Sequence, residues 1–254
     1  RSRERVHVEV NMRFVHPRMD EAWRAQLVRA CLLETGRAAL EIAGVWGRGA
    51  RHALALVREV RGAELFDDAL RARRGLIIAA PHLGCWELLN YWLCSRTPLA
   101  ILYAPPRYAA FEALLLRARG ELAPQQVRAD GAGVRALYKR LAAGGVVGIL
   151  PDQQPKAGEG QFAPFFGVEA DTIVLLPRMA QRTGATVLFA FAERLPRGAG
   201  FRIHFRPATE AIAEPDLRVA CTALNRGVQD CAELAFTQYQ WTYKRWAERP
   251  DPLE

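Results

Sequence analysis

The chain has 254 residues, of which half are hydrophobic and 24% are charged. This composition excludes a disordered chain and a small disulfide-stapled domain, because so many apolar residues can bury a sizeable core. Lys and Arg outnumber Asp and Glu by 35 to 27, a net charge of +8, and the cations are almost all Arg. Arg binds phosphate and carboxylate oxygens two at a time, so an anionic partner is expected: nucleic acid, a phosphorylated lipid, an acidic membrane or an acidic carrier protein.

The first part of the chain is predicted to be helical. Trp23, Leu27 and Cys31 recur at four-residue spacing, as on one face of a helix. A second helical segment is predicted at about 51–70, where Leu54 and Val57 lie among charged residues. Each of these segments would have one apolar and one charged face.

From residue 75 onwards, short apolar runs alternate with helix-length stretches. This alternation predicts an α/β fold, with a central, mostly parallel sheet covered by helices. The last two predicted strands should form a hairpin, because Pro196, Gly198 and Gly200 lie between them. The predicted strands are 76–80, 99–103, 146–150, 186–192 and 201–206.

In the last of these runs, alternation places Arg202, His204 and Arg206 on one face. A solvated face and an anion-binding face are both open interpretations. The chain contains no repeat or long linker, which favours one domain over 1–254, with a helical portion at 1–74 and an α/β core at 75–254.

The cysteines and histidines exclude several kinds of site. Five cysteines without a CxxC pair argue against a disulfide framework and a structural zinc site, and favour a reducing compartment. The five histidines lack metal-ligand spacing, so neither a metal nor another cofactor is expected. No run approaches the ~20 apolar residues that span a bilayer. Since the sequence begins at Arg1 rather than Met, we expect an anchoring segment ahead of it.

The strongest candidate site follows the first predicted core strand, in the run Pro81-His82-Leu83-Gly84-Cys85-Trp86-Glu87. Loops at the carboxyl ends of strands commonly carry reactive groups in α/β proteins. If a helix begins near Gly84, the His82 imidazole can fold back over its first turn and meet the Glu87 carboxylate. A carboxylate on one ring nitrogen strengthens the other as a base, so the pair can activate a hydroxyl group. The alternative is a capping His82 and a surface Glu87.

Cys85 allows a second interpretation, a Cys-His nucleophile. Its position at a helix start favours an inward-packed thiol instead.

Several further motifs, in the same order as the site, resemble the lipid A biosynthesis acyltransferases, the late lauroyl/myristoyl transferases within the lysophospholipid acyltransferase superfamily. His82 and Glu87 match that family's HxxxxE pair, and Asp152 lies in a matching PD-x-(D/Q) loop. The remaining matching blocks are Asn11-Met12-Arg13-Phe14, Phe162-Ala163-Pro164-Phe165-Phe166-Gly167, Ala170-Asp171-Thr172, Gln238-Tyr239-Gln240-Trp241, Lys244-Arg245-Trp246 and Arg249-Pro250.

The resemblance implies a glycerolipid-acyltransferase-like fold and an O-acyltransferase. It would move a fatty acyl chain from a thioester, on acyl carrier protein or acyl-CoA, to a hydroxyl of a phosphorylated glycolipid. His82 would be the general base and Glu87 would orient it. The residues expected to bind substrate are Arg107, Asp152, Phe165, Phe166 and Gly167. The family commonly has Tyr-Arg-Pro where this chain has Ala104 in the position of the Arg. Arg107 is therefore the candidate for binding the phosphate of the acceptor.

The resemblance also implies a place at the membrane surface, on the cytoplasmic face of the bacterial inner membrane. Donors for the developing oxyanion are expected among the backbone N–H groups near Gly84 and the Arg107 side chain. Two alternatives stay open: a related acyl-CoA-dependent lysophospholipid or glycolipid acyltransferase, and a basic module that binds lipid or nucleic acid without catalysis. Arg residues interleaved with Glu and Asp argue against nucleic acid as the partner.

Overall fold

The computed structural model describes residues 2–103, 109–120, 125–156 and 158–247, without the side chains of 109–111 and 114. The helices in this part of the chain are α1 (Arg3–Val15), α2 (Glu21–Ala55), α3 (Ala63–Ala72), α4 (Trp86–Arg96), α5 (Ala109–Gly120), α6 (Gly131–Ala142), α7 (Leu175–Thr183) and α8 (Leu217–Leu234). The strands are β1 (Val57–Arg61), β2 (Leu76–Ala79), β3 (Leu99–Tyr103), β4 (Gln125–Arg128), β5 (Val146–Ile149), β6 (Gly160–Phe165), β7 (Val168–Ile173), β8 (Thr186–Arg194) and β9 (Phe201–Pro207).

Seven strands form one sheet in the order β1-β9-β8-β2-β5-β3-β4, and β6 and β7 form a separate antiparallel pair. In the large sheet β2 is paired in parallel with β5 on one side and β8 on the other. The antiparallel pairing in it joins β8 to β9. The predicted α/β fold, with a mostly parallel sheet and a helical N-terminal portion, is therefore confirmed.

The core lies on both faces of the sheet, as expected for parallel strands. All four residues of β2 are buried, and alternation sends Ile77 and Ala79 to one core cluster and Leu76 and Ile78 to the other. The first cluster includes residues of α1, α6, α7 and α8, and the second includes residues of α3 and α4. Because helices cover both faces of the sheet at β2, this strand has no polar residue.

Aspartates begin several of the helices. The side chain of Asp20 accepts a hydrogen bond from the Trp23 backbone N–H at 2.8 Å, and Asp130 does the same for Gly133 at 2.8 Å. A side-chain acceptor at this position satisfies one of the N–H groups that the first turn leaves unpaired. The long α2 is interrupted at Gly49, whose φ of 74° breaks the helical path.

The prediction of a helix over 51–70 is wrong in its middle. Helix α2 ends at Ala55, and Val57–Arg61 forms β1 before α3 begins. Strand β1 pairs in parallel with β9, a partner more than a hundred residues later in the chain, so tertiary pairing outweighs the local helical pattern here. Strands β4, β6 and β7 were not predicted either.

The predicted hairpin between the last two strands is confirmed, with Arg194 opposite Phe201. On its polar face, Arg202 forms ion pairs with Glu59 and Glu193, and His204 Nε2 lies 2.8 Å from the Glu193 carboxylate. Arg202 and His204 therefore face carboxylates within the protein, which favours a structural role over anion binding.

Candidate active site

His82 lies in the loop between β2 and α4, at the carboxyl end of the parallel strands. Helix α4 begins at Trp86, close to the predicted start. The loop is fastened to β8: the Cys85 N–H donates to the Ala192 carbonyl at 2.9 Å. Gly84 has a φ of 62°, and a Cβ there would lie 1.9 Å from the Ala192 oxygen. Only glycine therefore fits this close backbone contact.

Asp152 holds His82 through two hydrogen bonds. Its Oδ1 lies 2.8 Å from the His82 Nδ1, and its Oδ2 accepts the His82 backbone N–H at 2.8 Å. The two residues meet because each follows one of two adjacent parallel strands, β2 and β5, whose carboxyl ends lie side by side. The imidazole is 13% exposed and the carboxylate 2%.

The pKa of the Asp152 carboxyl is lowered despite its burial. Burial by itself raises this pKa, but the charge of His82 and the hydrogen bonds from its ring and backbone outweigh that effect. The carboxylate is therefore ionised and accepts the Nδ1–H. This bond fixes the tautomer in which Nε2 carries the lone pair.

The other side of the imidazole faces polar groups and open space. Gln153 Nε2 lies 3.3 Å from His82 Nε2 and 3.4 Å from the Gln240 side-chain oxygen. The indole of Trp86 packs edge-on against the imidazole at 5.3 Å. Three neighbours, Asp152, Gln153 and Trp86, thus orient the ring, and the Gln153 amide is the hydrogen-bond partner of Nε2.

His82 lines a cavity of about 1040 Å³. Apolar side chains from β3, α6 and the β7–α7 junction form much of its wall, and cations are interspersed among them. A concave, mostly apolar site with a few convergent polar groups is the usual form of a small-molecule or lipid site. The apolar side chains include Leu102, Leu115, Val134, Ile173, Val174, Leu175 and Leu217, and the cations are Arg119, Lys156, Arg178 and Arg182.

Glu87 does not take the place predicted for it at His82. Both of its oxygens are bound by the Arg119 guanidinium of α5, with Nε at 3.1 Å from Oε2, and the Trp46 indole N–H also donates to Oε2 at 3.1 Å. Glu87 is 1% exposed, so its charge needs such partners. The first turn of α4 directs this carboxylate towards α2 and α5, and the carboxylate beside His82 is that of Asp152.

The backbone donors expected near Gly84 are also engaged. The N–H groups of Leu83, Gly84 and Cys85 donate to the carbonyls of Pro81, Gln238 and Ala192 at 2.7, 3.2 and 2.9 Å. They are therefore not free to stabilise an oxyanion, contrary to the sequence-based expectation. Arg107, the other candidate, and Ala104 lie outside the described residues.

Phe165, Phe166 and Gly167 lie at the β6–β7 turn rather than along the cavity beside His82. Phe165 is 1% exposed and stacks on Trp246 at 5.5 Å between ring centroids. Phe166 and Gly167 have φ of 50° and 76°, as a tight hairpin turn requires. Phe165 and Phe166, which were expected to bind substrate, therefore lie in the core and packed against it, respectively.

The thiols are poor candidates for nucleophiles. Burial raises the pKa of Cys85 to about 12. This supports the inward-packed interpretation of Cys85. Among the described residues no group of three or more His, Cys, Asp or Glu side chains is arranged to hold a metal ion. In the same part of the chain, none of the helices has the length and apolar character needed to cross a bilayer.

Residues 238–243, here called the C-terminal segment, complete the back of the site. Leu83 forms a β-bridge with Tyr239, and the Gln240 N–H donates to the His82 carbonyl at 2.9 Å. The sequence marked this segment only through its family motif. No sequence pattern indicated Arg119 as a site residue, since it lies in a helical segment without a family motif.

The chain is similar to known proteins over nearly its whole length. The model of the family "bacterial lipid A biosynthesis acyltransferase" matches residues 1–248. The chain is similar to the lipid A biosynthesis lauroyltransferase of Escherichia coli (strain K12), with 25% identity over 245 residues, 96% of this chain and 79% of that protein. It is also similar to the lipid A biosynthesis acyltransferase of Haemophilus influenzae, with 21% identity over 250 residues, 98% of this chain and 77% of that one. The chain belongs to the bacterial lipid A biosynthesis acyltransferase family and is an acyltransferase enzyme.

Proposed function

We propose that this acyltransferase moves a fatty acyl chain from a thioester on acyl carrier protein to a hydroxyl group of a phosphorylated lipid A precursor, with His82 as the general base. The observation that carries the proposal is the His82–Asp152 pair beside the cavity: Nδ1 is held at 2.8 Å by a buried carboxylate while His82 lines the open space. A base so oriented needs no nucleophile from the enzyme.

In the proposed reaction His82 Nε2 removes the proton of the acceptor hydroxyl as its oxygen attacks the thioester carbonyl carbon. The carbon–sulfur bond then breaks, and the imidazolium returns the proton to the departing sulfur. Asp152 stabilises the imidazolium formed in between. Proton transfer of this kind contributes ~10²–10⁴-fold, so positioning and electrostatic stabilisation supply the rest.

Glu87 serves this reaction through Arg119. Glu87 binds the guanidinium with both oxygens, and Arg119 lines the same cavity as His82. A cation held rigidly at the wall favours the negative charge that develops on the carbonyl oxygen. Glu87 is therefore a positioning residue for Arg119 in this proposal.

The cavity suits two amphipathic substrates. Its apolar wall fits hydrocarbon chains, while the exposed Lys156, Arg178 and Arg182 at its border fit the phosphate of the acceptor. The surplus of eight positive charges also favours an acidic carrier protein and an anionic membrane.

Membrane-surface association is part of the proposal. Leu33 and Leu40 on α2 are 54% and 76% exposed, and Val6 and Val10 on α1 are 42% and 41% exposed. Exposed apolar side chains next to arginines are typical of surfaces that contact anionic lipid. Such contact would place the enzyme beside its lipid acceptor.

Product analysis tests the proposal directly. The enzyme is incubated with a tetra-acylated, phosphorylated glucosamine disaccharide and a series of acyl donors on acyl carrier protein or CoA, and products are identified by mass spectrometry. We expect a penta-acylated product from the carrier-protein series and its loss in His82→Ala. The proposal is wrong if His82→Ala retains the wild-type rate, or if only CoA donors are consumed.

A further inference from the structure

Gln153 is the hydrogen-bond partner of the His82 nitrogen that would act as the base. Its Nε2 lies 3.3 Å from the His82 Nε2, and both residues line the cavity. The hydrogen on the His82 Nδ1 is accepted by Asp152, so Nε2 carries the lone pair and its partner has to be a donor. The NH₂ end of the Gln153 amide, rather than its carbonyl oxygen, therefore faces the ring.

Gln240 fixes the orientation of this amide. The Gln153 Nε2 also donates to the Gln240 side-chain oxygen at 3.4 Å. Gln240 is itself anchored, since its backbone N–H donates to the His82 carbonyl at 2.9 Å. The two N–H groups of Gln153 are thus directed at two acceptors. One of them, the His82 Nε2, stops accepting as soon as it binds a proton.

The contact between Gln153 and His82 leaves room for a third atom. At 3.3 Å it is longer than a typical N–H hydrogen bond of roughly 3.0 Å. A hydroxyl oxygen at about 2.8 Å from the His82 Nε2 and about 3.0 Å from the Gln153 Nε2 closes a triangle with these two atoms. Such a hydroxyl donates its hydrogen to the imidazole and accepts the N–H of Gln153. The point at which the base acts is therefore also within reach of an oriented donor.

We propose that Gln153 binds the oxygen of the acceptor hydroxyl and makes the enzyme selective for hydroxyl over amine acceptors. This inference rests on the proposed role of His82 as the general base. A hydroxyl oxygen has two lone pairs, so one accepts the Gln153 N–H while the other attacks the thioester carbonyl carbon. An amine nitrogen has a single lone pair, which cannot serve both purposes.

The hydrogen bond from Gln153 has a defined effect on the reaction. It engages one lone pair of the oxygen and thereby aligns the other with the carbonyl carbon. As His82 removes the proton, negative charge grows on the oxygen and the bond from Gln153 strengthens. The carbon–oxygen bond then forms, the carbon–sulfur bond breaks and the proton passes to the sulfur, as described above. Loss of the donor should lower kcat/KM for the hydroxyl acceptor by about 10–100-fold, while KM for the acyl donor stays nearly constant.

The test compares two acceptors in the wild type and in Gln153→Met. One is the phosphorylated acceptor named above, and the other carries an amino group in place of the hydroxyl that is acylated. Methionine keeps the length of the side chain but has no N–H to donate. Transfer to the hydroxyl should fall by about 10–100-fold and transfer to the amine by less than about threefold. Both acceptors are assayed at the same pH, so the protonated fraction of the amine cancels in each ratio of variant to wild type.

Gln154→Met is the matched control. It removes a side-chain amide from the next residue of the same loop and cavity wall, but it leaves the Gln153 bonds to His82 and Gln240 in place. Its ratio of hydroxyl to amine transfer should equal that of the wild type. Gln153→Leu, a second variant without a donor, should repeat the result of Gln153→Met.

A fall in the ratio of hydroxyl to amine transfer for both Gln153 variants supports the inference. Equal losses for the two acceptors, wild-type rates for both, or a fall of the same size in Gln154→Met overturn it. If His82→Ala is inactive towards both acceptors while the Gln153 variants keep the wild-type ratio, only this inference fails. Full activity of His82→Ala would instead remove the proposed function.

Discussion

Asp152 accepts both the ring Nδ1–H and the backbone N–H of His82, each at 2.8 Å. The carboxylate therefore fixes the loop that carries the imidazole as well as the imidazole itself. It performs for His82 the task that the sequence suggested for Glu87. The first prediction follows from this pairing.

Asp152→Asn should reduce kcat by about 10²–10⁴-fold, because a neutral amide does not stabilise the imidazolium and permits the wrong tautomer. Steady-state kinetics with the carrier-protein donor measure the effect. Asp152→Ala should be no more active, and a change of less than threefold in either variant would show that the carboxylate is not needed.

Glu87→Gln should act by a different route. The amide keeps the size of the Glu87 side chain and its ability to form hydrogen bonds, but it removes the counter-ion of Arg119. The Arg119 side chain is only 10% exposed, so its unpaired charge is costly. We expect lower stability together with lower kcat. The double variant Glu87→Gln/Arg119→Met should partly restore the stability but not kcat. Urea unfolding and kinetics on the same samples separate the two. Equal losses of stability in the single and double variants would contradict this account.

The lowered pKa of Asp152 also makes a prediction about acid stability. In the folded chain the carboxylate stays ionised below its ordinary pKa of 3.8, so on acidification the unfolded chain takes up the proton first. Its stabilising contribution is present above that value and is lost as pH falls below it, through the lower folded-state pKa. Urea unfolding across this range should show a shallower decline for Asp152→Asn. Parallel curves for both proteins would mean that Asp152 does not contribute.

The buried Arg245 should be important for stability. Its guanidinium donates to the Asp171 carbonyl, the Thr172 hydroxyl and the Asn225 side chain, the last two at 3.0 and 3.1 Å. Arg245→Met leaves these buried acceptors without their donor and should cost about 2–4 kcal/mol of unfolding free energy. The matched control is Arg218→Met, whose exposed ion pair with Glu169 should contribute little to the free energy of unfolding. Equal losses for the two variants would refute the prediction.

Cys85 should be dispensable for chemistry. Burial raises the pKa of its thiol to about 12, so almost no thiolate is present at neutral pH. Cys85→Ala should keep kcat within about threefold of the wild type, and mass spectrometry should find Cys85 unmodified after brief treatment of the native protein with iodoacetamide. Rapid alkylation accompanied by loss of activity would restore the Cys-His interpretation.

The sequence was most informative where a local pattern coincides with burial. An apolar run followed by Pro81-His82 located both a central strand and the loop of the candidate site. The family resemblance marked Asp152, which follows another such run, as a substrate-binding residue. The sequence was least informative about partners across the chain. Glu87 and Arg119 are 32 residues apart, and their pairing depends on how α4 and α5 pack. Strand β1 was missed for the same reason, since its pairing with β9 is not visible locally.

The junction between α1 and the C-terminal segment also constrains how the enzyme is made. Asn11 and Trp241 are 230 residues apart in the chain, yet they meet behind the loop that carries His82. The early part of the chain is therefore synthesised many seconds before the residues that complete the site. A nascent chain that stops short of Tyr239 has His82 but lacks the backbone hydrogen bonds that brace its loop. Activity should thus appear only after nearly all of the described chain has been released.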